Sequence, residues 1–152
     1  MVRLSDTGFV RSVNSGKGLD VTAVSLAPGA RLQQWPFLSE QANQRFRFSP
    51  LDDGFHRITA LHSGLVLDVA GGSLDRGAPI IQWNWHGGPN QRFAVDEIDT
   101  GSTSGRTFLL RAQHSGLVLD VVAASQDNGA AIIQWDRHGG PNQQWRLSVP
   151  FD

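Results

Sequence analysis

Short apolar runs rich in Val, Ile, Leu and Phe recur along this chain and are broken by Gly, Asn, Asp, Ser or Pro, a pattern that predicts strands joined by tight turns. No segment sustains a helical period, so no helix is expected. The pattern returns three times. His62–Val95 reads HSGLVLDVAGGSLDRGAPIIQWNWHGGPNQRFAV and His114–Leu147 reads HSGLVLDVVAASQDNGAAIIQWDRHGGPNQQWRL, with about two positions in three identical and no gap. A weaker copy starts at Ser15 as SGKGLDVTAVSLAPGARLQQWPFLSEQANQRFRF. An Asp, a Gly nine residues on and a Trp six beyond that keep their spacing throughout: Asp20, Gly29, Trp35; Asp68, Gly77, Trp83; Asp120, Gly129, Trp135. The first copy then carries one extra residue before Asn43-Gln44.

Four strands can be placed in each copy, in the second as Arg57–Ala60, Val66–Val69, Ile80–Trp83 and Arg92–Val95, giving about twelve in all. A lone repeat of this size cannot bury its apolar face, so the copies must close on one another. Three four-stranded units closing with pseudo-threefold symmetry make an all-β fold, the β-trefoil; a three-bladed propeller is the rarer alternative. The 152 residues suit one domain spanning 1–152, with repeats at about 7–50, 54–98 and 105–150. The recurring Leu, Val and Ile positions, with Phe46, Phe93 and Trp145 at the ends of the copies, are the expected core.

A net charge of −1, scattered without blocks of either sign, provides no phosphate-tracking groove, so nucleic acid is not an expected partner. No stretch approaches the ~20 apolar residues of a membrane span. No apolar run of signal-peptide length follows Met1, which predicts a cytoplasmic protein, or one released without a signal peptide. The absence of cysteine fits either compartment.

Polar and aromatic residues also recur, and a core would not ask for them. A monosaccharide offers hydroxyls, which both donate and accept, and a weakly apolar C–H face. A carboxylate or a side-chain amide can fix the first, and a Trp ring can cover the second at little entropic cost. Asp, Trp, His, Asn and Gln in one shallow pocket therefore suit a pyranose. Each residue also has a plainer reading. Asn90 and Gln91 after Gly-Gly-Pro could cap a turn, and Asp68 could hold a neighbouring amide. Strand alternation puts Ile81 with Trp83 on one face and Ile80 with Gln82 on the other without saying which is inner, so the tryptophans are either core or sugar platform. Trp85, present only in the second copy, is a second candidate platform. His86 and His138 have no second ligand at metal spacing, so a hydroxyl contact or a turn role is expected, with no metal and no cofactor.

These residues are also where the chain resembles the ricin-type lectins, whose repeats end in NQxW or NQxF. The signature stands here as Asn43-Gln44-Arg45-Phe46, Asn90-Gln91-Arg92-Phe93 and Asn142-Gln143-Gln144-Trp145. The resemblance covers nearly the whole chain and is greatest to standalone fungal trefoil lectins and related bacterial modules. It implies a glycan ending in galactose or N-acetylgalactosamine, although xylan-binding modules belong to the same family. It nominates Asp20, Gln33, Trp35, Asn43 and Gln44 in the first copy, Asp68, Trp83, His86, Asn90 and Gln91 in the second, and Asp120, Trp135, His138, Asn142 and Gln143 in the third. Two departures bear on specificity. Ile81 and Ile133 replace the polar Gln33, and Leu38-Ser39-Glu40 replaces His-Gly-Gly in the first copy, whose site is expected to differ or to be dead.

A glycosidase needs two carboxylates across one cleft, whereas these Asp residues fall one per repeat, so a multivalent binder without catalysis is expected. Its partners would be glycans of glycoproteins, glycolipids or polysaccharides, and a homo-oligomer stays open. The alternatives are an inhibitor or protein ligand acting through loops, or a carbohydrate-binding module detached from a hydrolase. The one irregular stretch, Asp96 to Arg106, reads as a flexible connector.

Overall fold

The computed structural model describes residues 3–98 and 106–148; residues 99–105 of the expected connector and both chain ends lie outside the described residues. Twelve strands run in the order β1 (Thr7–Ser12), β2 (Gly18–Val21), β3 (Leu32–Trp35), β4 (Arg45–Pro50), β5 (His56–Ala60), β6 (Val66–Val69), β7 (Ile80–Trp83), β8 (Phe93–Ile98), β9 (Thr107–Ala112), β10 (Val118–Val121), β11 (Ile132–Trp135) and β12 (Trp145–Ser148). The first and last strands of each copy pair antiparallel in a closed ring, β1–β4–β5–β8–β9–β12 and back to β1. Closure leaves no unpaired edge on this barrel. The inner strands form three hairpins, β2–β3, β6–β7 and β10–β11, each with four residue pairs. Three isolated bridges, Arg31 with Ile81, Pro79 with Ile133 and Gln33 with Ala131, join the hairpins to one another in a cycle. The fold is the β-trefoil that the repeat count predicts.

One core serves all three copies. Leu19, Leu67 and Leu119, from the Leu-Asp-Val segments, are fully buried with Phe46, Phe93 and Trp145. The indole N–H of Trp145 donates to the Leu119 carbonyl at 3.3 Å, so the largest core residue leaves no polar atom unsatisfied. β8 runs three residues beyond the window its apolar run suggested, from Phe93 to Ile98, because all six of its residues pair with β9. The acidic Asp96 that ended the apolar run is held by Arg111 of β9 at 2.7 Å. His56 anchors the N-terminal segment: its Nε2 accepts from the Leu4 N–H at 2.8 Å, and its Nδ1–H donates to the Phe93 carbonyl at 3.1 Å.

The hairpins are locked by residues whose recurrence was visible but whose role was not. Gln34, Gln82 and Gln134, immediately before the repeated Trp, have no exposed surface. Each reaches into the preceding copy: Gln82 Nε2 donates to the carbonyls of Ser25 and Ala27, both at 2.9 Å, and its Oε1 accepts from the Ser63 hydroxyl at 2.9 Å. Gln134 treats Ser73, Asp75 and Ser115 in the same way, and Gln34 closes the circle onto Ser125, Asp127 and Ser15. Strand alternation thus puts these glutamines inside and turns Trp35, Trp83 and Trp135 outward.

Candidate functional site

Each copy carries one open pocket of about 390 to 440 Å³, within the range of about 300–1,000 Å³ usual for small-ligand clefts. The second is lined by Asp68, Ile81, Trp83, His86 and Asn90 beside Gly71 and Gly72. The third brings together Asp120, Ile133, Trp135, His138 and Asn142. The first brings together Asp20, Gln33, Trp35 and Asn43, with Leu38 where the others have histidine and with Gln41 added.

The Asp forms the floor. It sits mid-strand in the hairpin, opposite Gln33, Ile81 or Ile133, which places its carboxylate two residues from the Trp on the same face. Only 3–4% of each Asp is exposed, and a buried carboxylate needs partners. The NQ glutamines supply them. Gln91 Nε2 donates to Asp68 Oδ2 and Gln143 Nε2 to Asp120 Oδ2, both at 2.8 Å, and Gln44 Nε2 to Asp20 Oδ2 at 3.0 Å. The second N–H of each glutamine donates to the carbonyl after the Trp, that of Pro36, Asn84 or Asp136. The amide oxygen accepts the N–H of Leu38, His86 or His138. Gln44, Gln91 and Gln143, expected among the sugar contacts, are therefore fully buried and lie beneath the pockets, where they aim the carboxylate and tie down the loop carrying the His.

Asn43, Asn90 and Asn142 stay at the pockets. Each donates Nδ2 to the carbonyl after the Asp, that of Val21, Val69 or Val121, at 3.1–3.2 Å. In the first site Asn43 and Gln33 also donate to Asp20, at 3.1 Å to Oδ2 and 3.0 Å to Oδ1, so both carboxylate oxygens there already have protein partners. His86 and His138 are half-exposed, and Nδ1 of each accepts the N–H of Gly88 or Gly140 at 3.0 Å. In the neutral imidazole that leaves the proton on Nε2, which faces the Asp Oδ2 at 3.8 Å in the second site and 3.7 Å in the third, too long for a direct bond. A donor and an acceptor thus face the same gap.

Burial pushes the carboxyls of Asp68 and Asp120 above their ordinary value of 3.8, against the glutamine bonds and the neighbouring histidines, which act in the opposite direction.

Trp35, Trp83 and Trp135 are about 40% exposed, and the back of each ring rests on the spaced Gly of the preceding copy. A Cβ at Gly29 would lie 3.7 Å from Trp83, one at Gly77 3.9 Å from Trp135, and one at Gly129 4.0 Å from Trp35. The φ angles of these glycines, +84° to +93°, exclude most other residues as well. The fixed Gly-to-Trp spacing therefore reflects a contact between neighbouring copies as well as a turn within one. Trp85 stands outside the lining of the second pocket; it is half-buried beneath the Arg57 guanidinium, 5.0 Å from the ring centroid.

The outer wall of each pocket is a turn with two consecutive residues in the left-handed region. In the second copy these are Gly71 and Gly72, but the first has Ala23 and Val24 (φ +57° and +54°) and the third Ala123 and Ala124 (+54° and +52°). A β-branched residue such as Val24 rarely adopts this conformation, so side chains wall the first and third pockets at the expense of strain of about 1–2 kcal/mol per residue. The second pocket is open on that side.

Two glycines outside the expected set are also required. A Cβ at Gly140 would lie 2.7 Å from His138 Cε1 and 2.9 Å from Asn142 Oδ1, and Gly88 is equally crowded by His86 and Asn90. Their signal was the repeated His-Gly-Gly-Pro-Asn, legible only as a turn. Gly140→Ala should displace both side chains and weaken ligand binding at the third site about tenfold, the equivalent of one or two hydrogen bonds, with the melting temperature nearly unchanged. Site-resolved NMR titration of the variant checks this; undiminished binding at Trp135 would show that His138 and Asn142 are dispensable there.

Among the described residues no cluster of three His, Cys, Asp or Glu could hold a metal ion, and no helix is long and apolar enough to cross a membrane.

No curated protein sequence matches this chain. Among solved structures, the designed threefold-symmetric protein ThreeFoil superposes with a TM-score of 0.88 at 38% identity, covering 94% of this chain and 99% of that one. An exo-β-1,3-galactanase from Clostridium thermocellum also gives 0.88, at 30% identity over 98% of this chain and 31% of the enzyme, so the chain spans about a third of that protein. A ricin B-like lectin from Macrolepiota procera, solved in complex with lactose, shares the fold at 17% identity, with a TM-score of 0.77 over 99% of both chains. The profile of the ricin-type beta-trefoil lectin domain-like family matches residues 4–83, 42–135 and 89–152. With its three NQ-ended repeats, closed β-trefoil and one Asp-floored pocket per copy, this chain belongs to the ricin-type β-trefoil lectin domain-like family.

Proposed function

We propose that the chain is a non-catalytic carbohydrate-binding protein that recognises glycans ending in galactose or N-acetylgalactosamine through up to three repeat-related sites. The observation that carries this reading is the repeated pairing, in one open pocket, of an outward Trp ring with a buried, oriented carboxylate. The ring covers the C–H face of a pyranose, and the carboxylate accepts from adjacent hydroxyls. In the second and third sites the His Nε2–H supplies a donor to the same hydroxyl pair, bridging the 3.7–3.8 Å gap to the Asp. The galactose preference is supported by relatives of the same fold, the M. procera lectin solved with lactose and an earthworm R-type lectin C-half solved with GalNAc. Each pocket is lined by one carboxylate, where glycoside hydrolysis ordinarily uses two set about 5–10 Å apart. Weak sites acting together would raise the affinity for a glycan-dense surface by ~10²–10⁴.

A second reading, a polysaccharide-binding module acting beside a hydrolase, is favoured by the 30% identity to one third of a galactanase. A glycan array carrying galactosides, xylans and mannans, read together with cell agglutination, tests both. Terminal galactosides with agglutination support the first, β-galactan or xylan chains the second, and no binding at all overturns both.

Sugar affinity at the second and third sites should fall in acid. A protonated carboxyl loses acceptor capacity, and the Asp68 and Asp120 carboxyls take up their proton above pH 3.8, so binding is lost as pH falls through that raised range. Lactose titrations from about pH 7 to 4 check this, since a carboxylate-dependent site must weaken across that range.

A further inference from the structure

The cycle of bridges between hairpins sets one residue of each copy against the residue two before the Trp in the next: Arg31 faces Ile81, Pro79 faces Ile133 and Ala131 faces Gln33. Side chains directly opposite each other across an antiparallel pair project to the same face. Ile81, Ile133 and Gln33 each line a pocket, so their opposite numbers stand at the rims of those pockets. Arg31 thus borders the second site, Pro79 the third and Ala131 the first. The chain path agrees, because Gly29, two residues before Arg31, is the glycine on which Trp83 of the second site rests.

Of the three rim residues only Arg31 is charged. It is exposed, and no hydrogen bond or ion pair joins its guanidinium to another described residue. Arg76, in the loop beneath Trp135 of the third site, contrasts with it, since its guanidinium is paired with Asp136. The second site also lacks the outer wall that Val24 and Ala124 give the others, which leaves room for a substituent on the bound sugar.

We propose that the second site selects glycans bearing an anionic group, carboxylate or sulfate, next to the sugar held at Asp68, with Arg31 as the specificity-determining residue. The proposal rests on the sugar-binding reading above. A guanidinium offers a planar fork of donors that matches a carboxylate or sulfate, and its unpaired charge is available to a ligand without first breaking a protein contact. At an exposed rim the gain is modest and screened, about twofold to fivefold in affinity at low salt and shrinking as salt rises.

The test is an NMR titration of the whole protein, followed at the Trp83 indole N–H, with lactose, 3′-sulfated lactose and 3′-sialyllactose, repeated with Arg31→Gln. The expected result is tighter binding of one or both anionic ligands than of lactose at Trp83, salt-sensitive, with the preference abolished in Arg31→Gln and lactose affinity unchanged. The two anionic arms distinguish sulfate from carboxylate. Equal affinity for all three ligands, or a preference that survives Arg31→Gln, overturns the proposal while leaving the lectin reading in place. Failure of all three ligands to bind overturns it together with the galactose reading.

Discussion

Replacing Asp20, Asp68 and Asp120 together by asparagine is expected to abolish glycan binding without lowering the melting temperature. The Asp68 and Asp120 carboxylates each spend one oxygen on the NQ glutamine, a bond that an asparagine can return through its own amide oxygen; at Asp20, whose other oxygen accepts from Gln33, the asparagine NH₂ is met only once the Gln33 amide turns over to present its oxygen. What then faces the pocket is an NH₂ group in place of an acceptor. Losing one charge-assisted hydrogen bond costs about 1.5–3 kcal/mol, roughly a ten- to hundredfold loss at each site, and a multivalent surface compounds it.

Stability should move the other way. Asp68 and Asp120 have folded-state pKa values raised by burial, so between 3.8 and those raised values the folded chain holds more protons than the unfolded one. Stability attributable to these groups is therefore greatest below 3.8 and is lost as pH rises through the folded values. At neutral pH the folded state carries two under-solvated charges that a neutral amide removes. Thermal melts beside a glycan array decide the matter. A triple variant that melts like the parent and still binds would show that the carboxylates are not the anchor.

Gln82→Ala, by contrast, is expected to destabilise the fold strongly, by about 3 kcal/mol for three buried hydrogen bonds, before any cavity penalty. For a chain of this length that lowers the melting temperature by roughly 6–12 °C. The side chain is fully buried and joins two copies, so its loss leaves the Ser25 carbonyl to the His62 imidazole and the Ala27 carbonyl to the Ala30 N–H, and loosens the loop that supports Trp83. Sugar binding at the second site should weaken in parallel, although Gln82 touches no ligand. Trp83→Ala provides the contrast: the ring is 41% exposed, so its removal should abolish binding at that site with a small change in stability. If Gln82→Ala melted like the parent, the glutamines would be spectators and the hairpin bridges would have to hold the cap alone. Urea titrations of Gln34→Ala and Gln134→Ala extend the test around the axis.

The repeats, their strands, the trefoil and the residues that gather at the pockets or beneath them were legible in the sequence. Short apolar runs with turn residues between them encode strands locally, and a spacing kept three times over leaves few ways to close. The departures of the first copy were legible too, as Leu38 in place of histidine and Gln33 in place of isoleucine. Which face of each hairpin is inward was not, because strand alternation defines two faces and is silent on which meets the core. The barrel and the neighbouring hairpins decided it, turning Gln82 in and Trp83 out. Burial likewise separated Asn90, at the pocket, from Gln91 beneath it, although the two are adjacent in sequence and similar in chemistry. Gly29 under Trp83 and Arg31 beside Ile81 are contacts between residues some fifty positions apart, and nothing local in the chain records which copy is the neighbour. What the sequence determined by itself was therefore the architecture and the candidate chemistry, both written in local periodicity. The role of each candidate was decided only by the tertiary structure, because burial and cross-repeat contact arise when the three copies close on one axis.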